Sequence, residues 1–466
     1  MKKVITRFAP SPTGTLHIGG VRTALFNYVY AKKYNGLFLV RIEDTDKERS
    51  TKDFEKNILD SLHSIGLVPD RDPVNQSTRG DIYKNAVQKL IDSDQAYYCD
   101  CTVDRLNSLR ETQQANGQKP QYDGKCRNLK LEKSDSTVLR LKTPLDGNVT
   151  VKDFVRGEIT FSNSELDDLI ILRSDGSPTY HLCNVVDDYE QGITTVIRGE
   201  DHISNTPRQI HIQNALEYPE LEYAHLPLVL GADKKRLSKR HAATSLEEYK
   251  HKGYLDSAML NTLARLGWSK GDNEVFYLEN LIQDFEITEV QKAGAIFDVS
   301  KLDYLNAQHM ANLSLEDFKE VLTPFLTNID IDINSHAKSD YLIKSMRSSA
   351  NTLSEVAINL KCYYQDIESY NQKAIEKFIG NSSKVLSDIY TLIENLDDWN
   401  EEALDNLLLN YRHENELSVP KVNQPIRIAL TGSTNSPSLG LTLYLFEKEE
   451  VLKRIENLIE LVETEN

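Results

Sequence analysis

Residues 3–8, KVITRF, form a short run rich in β-formers and predict a strand. APSPTGTLHIGG follows over residues 9–20, and its two prolines and three glycines make it a loop. Val21, Ala24, Leu25, Tyr28 and Val29 then recur at i, i+3, i+4, i+7 and i+8. That spacing is one face of a helix, which Gly36 terminates as the C′ residue. Residues 37–43, LFLVRIE, form the near-continuous apolar run of a buried strand. Strand, glycine-rich loop, helix and strand compose a βαβ unit, so the fold is α/β with a parallel sheet covered by helices. Ligands of such sheets bind beyond the carboxyl ends of the strands, where His17, Gly19 and Glu43 fall.

A second helix is predicted after Ser50 or Thr51, with Phe54, Ile58, Leu59, Leu62 and Ile65 as its apolar face and Gly66 as its end. Residues 111–128 are polar and turn-rich, which suggests an inserted lobe. Residues 169–182 hold a short apolar strand, the SDGSP turn and then TYHL, and 194–198 predict a strand ending at Arg198. From about residue 245 helical patterns dominate, interrupted by a polar break near 326–340 that reads as a linker.

With 466 residues the chain has room for about three domains and needs no disulfide staple. No stretch approaches the roughly 20 apolar residues of a membrane-spanning helix. The basic N-terminus is interrupted by Arg7, Pro10 and Pro12, so it does not read as a signal peptide. Five cysteines, odd and sparse, fit a reducing cytoplasm. The 54 basic and 71 acidic residues leave a net charge of −17, which excludes indiscriminate nucleic-acid binding by the whole surface. A local basic groove remains open: KKRLSKR, residues 234–240, carries Lys234, Lys235, Arg236, Lys239 and Arg240. Such a run is by itself most simply a solvated loop.

Two stretches carry candidate chemistry. Thr15–Gly20, TLHIGG, joins strand to helix, where glycines let a backbone approach phosphate and a helix N-terminus adds amide donors. His17 could donate to a phosphate oxygen as charge builds in a transition state. In RLSKR, residues 236–240, Lys239 is a mobile point charge suited to a pyrophosphate leaving group, and Ser238 adds a hydroxyl donor. Alone, a packed histidine and a basic surface loop would explain them.

Together, a His-Ile-Gly loop near the N-terminus and an Arg-Leu-Ser-Lys loop far downstream resemble the paired motifs of class I aminoacyl-tRNA synthetases. RFAPSPTGTLHIGGVRTALFNYVYA, FLVRIEDTDKERS, SDGSPTYHLCNVVDDYEQGITTVIRGEDHISNTPRQ, KKRLSKRHAATS and QPIRIALTGSTNSPSLG are similar to the bacterial glutamyl-tRNA synthetases, over essentially the whole chain. That resemblance implies a class I Rossmann-type catalytic domain at 1–99 and 187–235, split by an inserted α/β acceptor-binding lobe at 100–186. A stem-contact region at 236–325 and a mostly α-helical anticodon-binding region at 326–466 would follow. It implies ATP sites at Thr15, His17, Gly19, Gly20, Arg236, Leu237, Ser238, Lys239 and Arg240, with His17 and Lys239 catalytic. It implies glutamate sites at Arg7, Ala9, Ser11, Glu43, Tyr180, Asn184 and Arg198, with Glu43 meeting the ammonium. The chemistry of those residues agrees: two arginines answer two carboxylates, and one carboxylate answers one ammonium. The implied partners are tRNA(Glu), L-glutamate and ATP with Mg2+, for a cytoplasmic monomer with no membrane partner that needs cognate tRNA for efficient activation.

Three positions in the two paired motifs, and a fourth near the cysteines, depart from the family pattern. Gly20 replaces a second histidine, as is usual in the glutamyl branch, and Arg236 and Leu237 replace lysine and methionine. Cys99, Cys101 and Cys126 resemble a zinc site of some relatives, but Asn128 stands where histidine is often found. Either Tyr122 completes a zinc site or the cysteines are inert, because three thiolates alone do not close a tetrahedral structural site. The rival readings are a glutaminyl-tRNA synthetase, a shortened tRNA-modifying relative and a catalytically inactive tRNA-binding paralogue. The helical C-terminal pattern, the chain length and the intact His17, Lys239, Arg7 and Arg198 weigh against them in turn.

Overall fold

The computed structural model describes residues 3–46, 48–237, 245–379, 383–434 and 436–465. The chain divides into two compact units, Met1–Tyr249 with Asp256–Val299, and Lys250–Leu255 with Ser300–Asn466. That division falls inside the 236–325 stretch expected as one region. The polar break near 326–340 is instead a loop between helices of the second unit, holding the end of Leu315–Thr327 and the short turn Ile333–Ser335.

The first unit opens with β1 (Ile5–Phe8), α1 (Ile18–Lys33), β2 (Leu37–Ile42), α2 (Lys52–Ser64) and β3 (Val74–Asn75). The three strands are parallel in the order β1-β2-β3, with Ile5 opposite Leu37 and Arg41 opposite Val74. The predicted βαβ unit is therefore present, with two local differences. First, α1 begins at Ile18, inside the stretch read as loop. His17 is its N-cap, extended at φ −84° and ψ 153°, and His17 Nδ1 accepts the Gly20 N–H at 3.2 Å. A Cβ at Gly19 would stand 3.1 Å from that ring nitrogen, so glycine here makes room for the cap. Second, the left-handed residue ending α1 is Asn35 (φ +50°), not Gly36. Gly36 donates its N–H to the Ala31 carbonyl, and a Cβ on it would collide with the Val4 carbonyl oxygen at 2.1 Å. Helix α2 matches its expectation: Thr51 Oγ1 accepts from Phe54 N–H, and Gly66 sits at φ +78°.

The chain continues through α3 (Gly80–Asp92), β4 (Ala96–Cys99), α4 (Val103–Ala115), β5 (Val138–Leu141), β6 (Asn148–Asp153), β7 (Gly157–Ser162), β8 (Ile170–Leu172), α5 (Tyr180–Glu190), β9 (Thr195–Gly199), α6 (Thr206–Ala215) and β10 (Glu222–Leu226). Strands β4, β5 and β8 form a small antiparallel sheet whose Leu139, Leu141 and Ile171 pack on Leu90, Leu182 and Ile212 from the helices. The β6–β7 hairpin belongs elsewhere, although it lies within the stretch expected as inserted lobe. It joins a second sheet in the order β7-β6-β10-β9, with β6 and β9 both parallel to β10. Thr194 N–H donates to the Ile5 carbonyl at 2.9 Å, which sets β9 beside β1. Leu39, Val151, Ile193, Val196 and Tyr223 form one buried cluster from both sheets. Helix α5 runs through the expected 186/187 boundary.

The second unit is helical from Ser300 onward, with no strand among the described residues. Its core includes Leu386, Ile389, Ile426, Leu430, Leu443, Val451 and Ile455. No helix among the described residues is long and apolar enough to cross a membrane.

Candidate active site

The carboxyl ends of β1, β2 and β9 open onto a cavity of about 690 Å³. Arg7, Ala9, Ser11, Thr15, His17, Gly19, Gly20, Glu43, Tyr180, Asn184, Arg198, Arg236 and Leu237 all line it, so most of the residues singled out in the sequence meet in one place. Ser238, Lys239 and Arg240 lie outside the described residues. The chain on either side of them is placed: Leu237 N–H donates to the Val229 carbonyl, and Ser245 bridges to His17. The basic loop thus leaves and re-enters the described structure beside the glycine-rich turn.

The inner wall is a buried ionic network. Arg7 donates through Nε (3.0 Å) and Nη2 (3.3 Å) to the two carboxylate oxygens of Asp188. Arg41 donates Nη1 to Asp188 at 2.6 Å and to Gln191 at 2.9 Å, and Nη2 to Glu43 at 3.4 Å. Asn184 Nδ2 donates to the same Glu43 oxygen at 2.8 Å. Burial pushes the Asp188 carboxyl upward, but Arg41 and Arg7 outweigh it and hold the group below its usual range. At Glu43 the balance is reversed: burial raises the carboxyl more than Arg41 and Arg7 lower it. Glu43 is thus a carboxylate short of positive charge, which an arriving ammonium would supply.

Arg198 is short of an acceptor. Its Nε donates to His225 Nε2 at 3.1 Å and its Nη2 to Thr206 Oγ1 at 2.9 Å, while the buried Nη1 has no partner among the described residues. An orphaned guanidinium nitrogen on a residue lining a cavity is a ready carboxylate contact. At the other end, desolvation and then the charge of Arg236 lower the His17 pKa, so the imidazole is neutral near pH 7. Its Nδ1 already accepts the Gly20 N–H, which assigns the proton to Nε2 as a donor. Arg236 pairs with Asp201 at 3.1 Å. Tyr180 Oη lies 3.3 Å from His202 Nδ1.

Sequence reasoning missed Arg41, Asp188, His202 and His225. The signals were an arginine two residues before Glu43 in an otherwise apolar strand, and the acid pair Asp187–Asp188 ending an apolar stretch of α5.

The cysteine cluster lies apart, in the small sheet's lobe. The sulfurs of Cys99, Cys101 and Cys126 are within 4.8 Å of one another. Tyr122 Oη stands 3.4 Å from Cys99 Sγ and 3.8 Å from Cys101 Sγ, and it accepts the Cys126 N–H at 2.9 Å. Three sulfurs and one phenol oxygen at these spacings suit a tetrahedral zinc ion.

A nucleotide-type parallel sheet, a histidine-capped helix N-terminus and a helical C-terminal unit together describe a class I synthetase architecture. Family models agree: residues 3–304 match "tRNA synthetases class I (E and Q), catalytic domain", and residues 315–459 match "Anticodon binding domain". Glutamate–tRNA ligase 2 of Halorhodospira halophila is 44% identical over 460 residues, covering 98% of each chain. Glutamate–tRNA ligase of Thermodesulfovibrio yellowstonii is 43% identical over 467 residues, covering 98% of this chain and 99% of its own. The crystal structure of a glutamate tRNA ligase from Elizabethkingia meningosepticum, in complex with its amino acid, superposes with a TM-score of 0.86 at 31% identity, covering 98% of this chain and 99% of its own. The chain belongs to the glutamate–tRNA ligase family.

Proposed function

We infer that the protein attaches L-glutamate to tRNA in a two-step reaction whose first step consumes ATP. The observation that carries this is the meeting, in one cavity, of the charge-deficient Glu43, the half-paired Arg198 and the histidine-capped N-terminus of α1. In the first step the α-carboxylate of glutamate attacks the α-phosphate of ATP. A phosphorus–oxygen bond forms, the bond to the β-phosphate breaks, and pyrophosphate leaves. In the second step the terminal ribose 2′-hydroxyl of tRNA attacks the adenylate carbonyl and AMP leaves. The nucleophiles are substrate groups, so the protein contributes position and charge.

Each wall has its part. Glu43 receives the substrate ammonium and Arg198 a carboxylate, with Arg7, Ala9, Ser11, Tyr180 and Asn184 around them. His17 donates Nε2–H, and the first-turn amides of α1 add their dipole, toward the phosphates beside Thr15, Gly19 and Gly20. Lys239, with Arg236, Leu237, Ser238 and Arg240, neutralises the departing pyrophosphate, and ATP enters as its Mg2+ complex. The lobe built on the β4-β5-β8 sheet grips the acceptor end of tRNA(Glu), 236–325 follow its stem and 326–466 read the anticodon. The protein works as a cytoplasmic monomer. Charging purified tRNA species with radiolabelled glutamate tests this assignment. Glutamylation of tRNA(Glu) is expected, and its absence with every species overturns the reading.

Arg198→Lys keeps the charge but loses the planar fork. We expect the glutamate KM to rise roughly tenfold or more while the ATP KM stays put. A glutamate KM within about twofold of the parent would remove Arg198 from the carboxylate contact.

Zn2+ held by Cys99, Cys101, Cys126 and Tyr122 would fix the fold of the lobe. The cluster's residues are absent from the lining of the catalytic cavity, and no activated water is required by the chemistry. Cys99→Ser with Cys101→Ser should lose the metal by elemental analysis and impair tRNA-dependent charging. A double variant that binds tRNA normally yet fails to form the adenylate would contradict a structural role.

A further inference from the structure

Arg198 sits on β9 directly opposite His225 on β10, and β10 is flanked on its other side by β6, which ends at Asp153. All three side chains are buried. We propose that Asp153 and His225 form a carboxylate–imidazole relay that orients Arg198, making them positioning residues for recognition of the substrate carboxylate. The proposal rests on the reading of Arg198 given above.

The hydrogen bonds admit one arrangement. An arginine Nε can only donate, so His225 Nε2, 3.1 Å away, must accept and carry no proton. The imidazole proton is then on Nδ1, which faces Asp153 Oδ2 at 2.6 Å. Asp153 is itself fixed, accepting the backbone N–H groups of Val155 (2.9 Å), Arg156 (2.8 Å) and His225 (3.0 Å). Thr206 Oγ1 holds the Nη2 end of the guanidinium. With Nε and Nη2 engaged, the fork cannot rotate about its long axis, and Nη1 is the nitrogen left over. A fork fixed this way offers the pocket donors only, which suits a carboxylate and leaves the amide nitrogen of a neutral analogue without an acceptor. Burial lowers the imidazole pKa despite Asp153, so the ring is neutral while it serves as acceptor.

Asparagine at 153 reverses the polarity without changing size. Its Oδ1 is claimed by the Val155 and Arg156 amides, so Nδ2 must donate to His225 Nδ1. The ring proton then moves to Nε2, where it confronts the Arg198 Nε–H and competes with Arg198 Nη2 for Thr206 Oγ1, 3.1 Å away. We expect Asp153→Asn and His225→Leu each to raise the glutamate KM roughly tenfold or more, with kcat and the tRNA and ATP KM values much less affected. His225→Gln keeps an acceptor for Nε and should recover much of the loss. Nitrogen-15 NMR of histidine-labelled wild-type protein should show His225 as the Nδ1–H tautomer, a readout that needs no variant to fold. An Nε2–H tautomer overturns the relay. So does a folded His225→Leu protein with an unchanged glutamate KM while Arg198→Lys raises it, and in that case the pocket assignment stands. If neither variant moves the glutamate KM, the role of Arg198 falls and the relay with it.

Discussion

Asp188→Asn should cost the first unit about 3–5 kcal/mol of stability, far more than a surface substitution. The side chain keeps its shape, but two buried guanidinium groups lose their shared counter-charge. Arg7 has both named donors on Asp188, and Arg41 retains only the longer contact with Glu43, the 3.9 Å approach to Asp187 and the neutral Gln191. Breaking one member of a buried ionic set is costly because desolvation of the survivors is no longer offset. A urea titration should show a lower midpoint. Arg41→Met added to Asp188→Asn should recover part of the loss, since it removes one stranded cation. An unchanged midpoint in the single variant would mean that water reaches these groups and the network is not buried.

Lys239→Ala should slow adenylate formation by roughly 3–4 kcal/mol, a loss of some hundred- to thousand-fold, while glutamate and tRNA binding stay near normal. The lysine follows Arg236, Leu237 and Ser238 in the basic loop; Arg236 and Leu237 line the same cavity as the TLHIGG turn, and Ser245 on the far side bridges to His17. Its charge matters most when the bond to the β-phosphate breaks and pyrophosphate carries the developing charge, so kcat should fall more than any KM rises. Single-turnover activation measures this. A near-normal rate would leave the loop as a general electrostatic attractor of tRNA.

The elements that were legible in the sequence are those with a local cause. The period of α1, the Thr51 cap with Gly66 beyond α2, and the apolar run of β2 all appear in the structure within a few residues. The start of α1 was misplaced because two glycines look like a loop, whereas here they make the first turn that a histidine caps. The β6–β7 hairpin carried a clear signal, since NVTVKD alternates exposed and buried positions. Its sheet did not, because pairing with β10 depends on contacts far away in the chain. The same reason hid the charge network. Asp187 and Asp188 are adjacent, but consecutive helical positions point about 100° apart. One therefore serves Gln76, Arg79 and Tyr83, and the other serves Arg7 and Arg41. Arg7 and Asp188 are 181 residues apart, and nothing local in either segment marks the pairing. The βαβ pattern put His17, Gly19 and Glu43 at ligand-binding strand ends, but the roles of the candidate substrate residues were legible only because long motifs resemble a known family; taken singly, His17 and Arg198 would have read as a packed histidine and a structural ion pair.

ATP–pyrophosphate exchange by the purified protein, with tRNA present, tests the central claim most directly. Run side by side with glutamate, glutamine and aspartate, it reads out which amino acid the cavity activates before any transfer to tRNA. A pocket built from Glu43 for an ammonium and from a fixed, donors-only Arg198 for a carboxylate predicts robust exchange with glutamate and little with glutamine. Absence of exchange with glutamate, or equal exchange with glutamine, would contradict the account.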